Sequence, residues 1–168
     1  MNHKHLSRRQ QAGFSLIELL IVVAIIGILA AVAVPKLLDN IKLGRETATM
    51  ESLRTIHNSQ ANYHALKGQF GSLKDLTSAN VLDANYSNGN TVSGYVYNST
   101  DPTADQYCVQ ATRQSANTAS KDYNVIEDGT IRFVESGSPN PVPRGEGRPV
   151  GSSNNSSSGS GTGAAPQQ

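Results

Sequence analysis

A long run of apolar residues lies near the start of the chain and gives the first prediction. Residues 14–34 form a run of 21 that contains one charged residue, Glu18. At about 1.5 Å of rise per residue, a helix of this length spans roughly the 30 Å hydrocarbon core of a bilayer. The pattern therefore predicts a helix that sits in a membrane at some stage.

Beyond residue 34 the pattern changes from wholly apolar to amphipathic. Apolar residues recur mostly at helical spacing, at Leu38, Ile41, Ala48, Leu53, Ile56, Tyr63 and Leu66. This predicts that the helix continues over residues 35–67 with one face able to pack on a small domain. Gly27 and Pro35 are its weak points, because proline lacks the N–H for a helical hydrogen bond and its ring crowds the preceding turn. We expect a kink or local unwinding there.

Turn and strand signals follow the predicted helix. Gly68 favours a helix end, and Ser72 precedes a short helix or turn. Residues rich in Tyr and Val predict strands at 94–98, 106–112, 123–127 and 130–135. The last two flank Asp128-Gly129, a favoured two-residue hairpin turn. That turn sets Ile126 opposite Ile131, with Phe133 on the same side, so the hairpin has one apolar face for the helix.

The predicted fold class is α+β. A long N-terminal helix, with a transmembrane half and then an amphipathic half, packs against a small antiparallel sheet of three or four strands. From residue 137 onward Pro, Ser and Gly dominate, and such a segment buries too little apolar surface to offset its ordering entropy. The predicted segments are a leader (1–13), a transmembrane or filament-core helix (14–34), an amphipathic continuation (35–67), a globular head (68–136) and a disordered tail (137–168).

Charge indicates how the chain is oriented in a membrane. The 168 residues carry a formal net charge of +1, and Lys4, Arg8 and Arg9 contribute +3 of it before the apolar run begins. Basic residues before an apolar span hold that end in the cytoplasm, so the N-terminus is predicted to be cytoplasmic in a single-pass inner-membrane precursor. The rest of the chain has no basic stripe, and nucleic acid is not indicated as a partner.

Few residues of the head suggest chemistry of their own. Cys108 is the single cysteine, which excludes an internal disulfide, and its strand position predicts a small buried hydrophobe. His57 and His64 lie two helical turns apart, too far to share one metal ion. Four acids are candidate oxygen ligands for calcium, although loop acids are commonly just solvated: Asp101, Asp105, Asp122 and Asp128. We predict no cofactor, no metal and no enzymatic activity.

The stretch Gly13-Phe14-Ser15-Leu16-Ile17-Glu18, between a basic segment and the apolar run, resembles the processing site of type IV prepilins and of type II secretion pseudopilins. The resemblance implies that a membrane peptidase cuts between Gly13 and Phe14 and that Phe14 is then N-methylated. Glu18 matches the acidic fifth residue of the processed family members. The implied partners are the prepilin peptidase/N-methyltransferase, the inner-membrane pilus or secretion assembly machinery, membrane lipid before assembly, and further copies of the chain in a filament.

Physical chemistry separately draws attention to Glu18. An acid inside an apolar span costs roughly 2.5 to 3.5 kcal/mol on insertion scales, so it favours a cationic partner. After cleavage the Phe14 amine is such a partner, about 6 Å away along the helix or on a neighbouring subunit staggered by one turn. Pairing between subunits would fix their register, and repetition of that contact without closure gives a polymer.

Four interpretations remain open from the sequence. The resemblance favours a subunit of a type IV pilus at the cell surface, with a periplasmic pseudopilin of type II secretion as the close alternative. A secretory signal peptide cut after Ala33 is less favoured, because Glu18 is unusual in such a segment. The fourth is a monomeric membrane-anchored binding protein, which would keep its helix in lipid permanently.

Overall fold

A computed structural model describes residues 14–87, 89–100 and 102–152. Two helices and a 3₁₀ turn come first: α1 (Leu16–Lys67), α2 (Leu73–Ser78) and the turn Ala84–Tyr86. Six strands follow: β1 (Thr91–Val92), β2 (Tyr95–Thr100), β3 (Cys108–Arg113), β4 (Lys121–Ile126), β5 (Ile131–Glu135) and β6 (Arg148–Pro149). They form one antiparallel sheet in chain order. The α+β class is confirmed, and β1 and β6 add a two-residue edge to each side of the four predicted strands.

The chain divides into two units within α1, Met1–Ile41 and Lys42–Gln168. In the first unit, α1 begins with a hydrogen bond from Leu19 N to the Ser15 carbonyl (3.2 Å). The helix then continues without a break through Gly27 and Pro35. The prediction of local unwinding at these residues is therefore wrong, whereas a bend in the helix stays a prediction.

In the second unit, one face of α1 packs on the sheet between residues 46 and 60. The buried positions recur at helical spacing, at Glu46, Thr49, Ser52, Leu53, Ile56, Ser59 and Gln60. Leu53 and Ile56 were predicted, but Leu38, Ile41 and Leu66 are exposed. The predicted packing face is therefore present, but its fully buried positions lie between residues 46 and 60 and are largely polar, and Tyr63 packs half-buried against the core beyond them. Gln60 shows how a polar residue fits there, since its amide donates to the Gly71 carbonyl (2.6 Å) and accepts from Gly71 N (3.1 Å).

The core lies between α1, α2 and the inner face of the sheet. Its main buried apolar side chains are Leu53, Ile56, Leu73, Leu76, Tyr95, Tyr97, Val109, Ala111, Tyr123 and Val125. Gly68 ends α1 with a φ of 72°, as predicted. Ser72 then caps α2 in a reciprocal arrangement with Asp75, which satisfies two backbone N–H groups at the helix start.

The predicted hairpin register was wrong by one residue. Val125, not Ile126, pairs with Ile131, and Tyr123 pairs with Phe133. The connection is longer than predicted, because Gly129 N donates to the Ile126 carbonyl (3.0 Å) and Gly129 has a φ of 71°. This is the pattern of a turn followed by a left-handed glycine. Ile126 therefore faces the outer side of the sheet, opposite Cys108.

The predicted disordered tail was wrong for residues 137–152, which we call the strap. Val142 in the strap is buried, with 1% of its surface exposed. β6 pairs with β5 at the edge of the sheet. The composition misled because few strap residues are apolar, whereas the strap is held mainly by polar side chains of the strands. Residues 153–168 lie outside the described residues.

Candidate assembly segment

The apolar part of α1 exposes its side chains in every direction. The large apolar residues of this segment are exposed by 42% to 78%: Phe14, Leu16, Ile17, Leu19, Leu20, Ile21, Val22, Val23, Ile25, Ile26, Ile28, Leu29, Val32, Val34, Leu37, Leu38 and Ile41. Because successive helical residues are about 100° apart, these side chains surround the helix. An exposed apolar surface of this extent is typical of a segment that contacts lipid or another protein. Among the described residues, α1 is the one helix long and apolar enough to cross a membrane, with a mean hydropathy of 3.0 in its most apolar window.

Glu18 lies in the first turn of α1 and is exposed. No other described residue forms a hydrogen bond or an ion pair with its carboxylate. A negative charge in the first turn is favoured by the helix dipole. Phe14 precedes the first residue of α1 by two positions, and Glu18 follows Phe14 by four, so the carboxylate lies in the turn next to the residue that cleavage would make the new N-terminus. Gly13, the other half of the predicted cleavage site, lies outside the described residues.

The head residues considered for metal binding have other partners or lie apart. No group of three or more His, Cys, Asp or Glu side chains in the described residues could hold a metal ion. Asp122 accepts hydrogen bonds from Arg113 N (2.8 Å) and Asn140 N (3.0 Å). Asp128 pairs with Arg132 (2.6 Å), and Asp101 lies outside the described residues. Among the described residues, Asp105, Asp122 and Asp128 thus do not come together as a set of calcium ligands.

The histidines and the cysteine have ordinary structural surroundings. His57 Nδ1 lies 2.6 Å from the Tyr107 hydroxyl, and His64 Nε2 lies 3.1 Å from the Ala104 carbonyl. Cys108 is 1% exposed, which confirms its prediction as a buried residue, and burial raises the pKa of its thiol. A raised pKa disfavours the nucleophilic thiolate.

Sequence reasoning missed a buried carboxylate that ties the second unit's helix to its sheet. Glu46 is 4% exposed and accepts hydrogen bonds from Ser120 N (2.9 Å), Lys121 Nζ (3.2 Å) and the Tyr123 hydroxyl (3.3 Å). Its signal was present, because Glu46 lies seven residues before Leu53 and therefore on the same helical face. Because Glu46 is charged, the sequence pattern predicted that it belongs to the solvent-facing side of the helix.

Comparison with known proteins agrees with this assignment of the N-terminal segment. Residues 8–34 match the prokaryotic N-terminal methylation motif. The chain is 38% identical over 58 residues to the type IV major pilin protein PilA of Myxococcus xanthus, a stretch covering 34% of this chain and 26% of that protein. It is 41% identical over 51 residues to type II secretion system core protein G of Pseudomonas aeruginosa, covering 30% of this chain and 36% of that protein.

The predicted resemblance to type IV pilins and type II secretion pseudopilins is therefore confirmed. The aligned stretches span about a quarter and about a third of the two relatives' lengths. The match to the methylation motif, residues 8–34, contains Phe14, Glu18 and the exposed apolar part of the helix.

Proposed function

We propose that the chain is a structural subunit of a type IV pilus or pilus-like filament and that it polymerises through its apolar helix after removal of residues 1–13. The observation that carries the proposal is the apolar surface around α1, whose single charge at residues 14–34 is the carboxylate of Glu18, which no other described residue pairs with. Neither lipid chains nor the apolar side chains of neighbouring helices supply a cation for this carboxylate. The amine that cleavage creates at Phe14 of a neighbouring subunit does.

In this mechanism the precursor first sits in the inner membrane, with its basic N-terminal residues in the cytoplasm. A prepilin peptidase cuts between Gly13 and Phe14, and an N-methyltransferase activity methylates Phe14. The assembly machinery then moves the subunit from lipid to the filament, where Leu, Ile and Val side chains of neighbouring helices replace the lipid chains. The Glu18 carboxylate pairs with the Phe14 amine of a neighbouring subunit and sets the register between copies.

Substitution of Glu18 tests this mechanism. Glu18→Ala should insert in the membrane at least as readily, because the cost of burying an acid disappears. Cleavage should persist, since Gly13 and Phe14 are unchanged. Filaments should fail or shorten, because a buried amine left without its partner costs about 3 to 5 kcal/mol. Glu18→Gln should be intermediate, as it retains a hydrogen-bond acceptor but loses the charge. The measurement is filament yield by electron microscopy, with immunoblots for the processed subunit in the membrane.

Asp39→Ala is the matched control, because Asp39 is an exposed acid on the same helix but lies beyond the apolar run. It should leave filament yield unchanged. Normal fibres from Glu18→Ala would show that apolar packing alone sets the register, and the electrostatic part of the mechanism would be wrong. Absence of any filament from the wild-type chain would instead contradict the proposed function itself.

A pseudopilin of a type II secretion system is the second candidate. The observation that favours it is the identity to core protein G, which extends over a larger share of that protein than the identity to the major pilin. The two candidates differ in where the filament lies and how long it is. Sheared surface material that pellets as long fibres containing this chain supports the pilus, and chain confined to short periplasmic filaments supports the pseudopilus.

A further inference from the structure

The strap (residues 137–152) crosses the outer face of the sheet, where strand side chains hold its backbone. The side-chain hydrogen bonds that link the two include those from Asn140 N to Asp122 Oδ2 (3.0 Å), from Gln110 Nε2 to the Val142 carbonyl (2.9 Å) and from Asn124 Nδ2 to the Pro143 carbonyl (2.6 Å). At the far end of the strap, β6 also pairs with β5. Asp122 and Asn124 are fully buried beneath these contacts. The strap therefore has a built seat, although it lacks the continuous ladder that joins β2 to β5.

Arg144 supplies the charged attachment of the strap. One nitrogen of its guanidinium donates to the Tyr107 carbonyl (2.8 Å) and to the Glu127 carboxylate (2.7 Å), and the second nitrogen pairs with the other oxygen of that carboxylate. The pairing is bidentate, which gives geometric specificity as well as attraction. The Arg144 hydrogen bond also lowers the pKa of Glu127, so this carboxylate is ionised at neutral pH.

Exposing the strap's contacts to water should cost less free energy than exposing the core. Val142 is the one apolar side chain of the strap that is buried. Its seat consists largely of amide and carboxylate groups, which water can hydrate when the strap leaves. Unfolding of the sheet would instead expose the apolar inner face together with Leu53 and Ile56 of α1. Segments with few buried apolar contacts open locally at lower free energy than the core unfolds.

Cys108 lies on the same outer face as Gln110, two residues away along β3. Arg144 bonds to the carbonyl of the preceding residue, Tyr107, and its charge acts on the thiol. With the strap seated, the Cys108 side chain is 1% exposed. As the single cysteine of the chain, it reports uncovering of this face without competing signals.

We propose that the strap is a releasable clasp, which opens while β2 to β5 remain folded and thereby uncovers the outer face of the sheet and Cys108. The clasp closes through the Val142 anchor and the Arg144 pairing. Its opening changes which surface the second unit presents, without loss of the apolar core.

The test uses the full-length chain in detergent micelles at fixed pH. The rate of maleimide labelling at Cys108 is compared with the hydrogen–deuterium exchange rate of the β4 amides. In the wild-type chain, the labelling rate should be set by opening of the strap. This opening should be much more frequent than the unfolding that allows the β4 amides to exchange. Arg144→Ala and Val142→Ala should each raise the labelling rate about tenfold, with β4 protection unchanged. Arg144→Lys should recover part of the slow labelling, because it restores a positive charge without the bidentate geometry.

Arg54→Ala is the matched control, because Arg54 is 59% exposed and pairs with Glu51 within α1. It should leave the labelling rate unchanged. The proposal is overturned if wild-type labelling is as slow as global opening measured at β4, or if neither strap variant accelerates it. If a strap variant also loses protection of the β4 amides, its labelling rate is set aside. The proposal is then judged by the wild-type labelling rate against the wild-type β4 exchange rate.

Discussion

Removal of the Glu46 carboxylate should destabilise the second unit more than removal of any exposed acid on α1. The side chain of Glu46 is 6% exposed, and that of its partner Lys121 is 27% exposed. Glu46→Ala leaves the Ser120 N–H without its acceptor and the Lys121 ammonium without its nearest anion.

The magnitude follows from how much water reaches each orphaned group. The Tyr123 hydroxyl is 2% exposed and would also lose its acceptor, and a buried donor without an acceptor costs about 1 to 3 kcal/mol. Breaking a fully buried ion pair costs about 3 to 5 kcal/mol, but Lys121 can hydrate in part and still has the Glu135 carboxylate at 3.7 Å, so it contributes less. The expected loss in the free energy of unfolding is therefore about 2 to 4 kcal/mol for Glu46→Ala. Glu46→Gln keeps an acceptor for Ser120 N and should lose roughly half as much.

Tyrosine fluorescence during denaturant unfolding of the full-length chain in micelles measures this loss. The chain has no tryptophan, and all six tyrosines lie in the second unit, so the signal reports that unit. Glu51→Ala is the control, because Glu51 is 64% exposed and should change stability by less than about 0.5 kcal/mol. Equal losses for Glu46→Ala and Glu51→Ala would refute the inference that the buried carboxylate joins helix and sheet.

Three further predictions concern pH, a turn and the C-terminus. The pKa values of Glu127 and Asp128 are lowered by hydrogen bonds from Arg144 and Arg132. Because the unfolded chain binds more protons than the folded chain in acid, the free energy of unfolding should fall as pH drops from about 4.5 through the lowered pKa values. Glu127→Gln should reduce this fall, as measured by denaturant midpoints between about pH 6 and 3. Gly129→Ala should lower the free energy of unfolding by about 1 to 2 kcal/mol in the same assay, because Gly129 has a φ of 71° and a Cβ there would lie 2.9 Å from His57 Nε2. Gly137→Ala is the control and should be neutral, because no atom lies within 4 Å of a Cβ at that position. Deletion of residues 153–168 should change the free energy of unfolding by less than about 0.5 kcal/mol. Deletion of residues 137–168 should lower it by more than about 1.5 kcal/mol, because the buried Val142 is lost. Equal effects of the two deletions would contradict the role of the strap.

The elements that the sequence predicted well are those in which local pattern and packing agree. The apolar run, the helix end at Gly68 and the four longer strands depend on periodicity and glycine conformation, both visible in a short window. Glu18 also stands out in a short window, because a lone acid in an apolar run is costly wherever it lies, whereas its role and that of Phe14 stay predictions.

The features that were missed depend on long-range polar contacts. Glu46 is separated by more than 70 residues from the strand groups that satisfy it. The strap looked disordered because Pro, Gly and Ser predominate, yet Asp122 and Asn124 on a distant strand hold its backbone. The hairpin register failed because Gly129 adds a left-handed residue to the turn, which moves Ile126 to the outer face.

Mass spectrometry of the N-terminal peptide from sheared, pelleted filaments measures where the mature chain begins. We expect a peptide that begins at Phe14 and carries one added methyl group on its amine. Gly13→Val should abolish that peptide and leave unprocessed precursor in the membrane, because the branched side chain crowds the cleavage site. A filament peptide that begins at Met1 or at Val34 would contradict the account, since no amine would then lie one helical turn from Glu18.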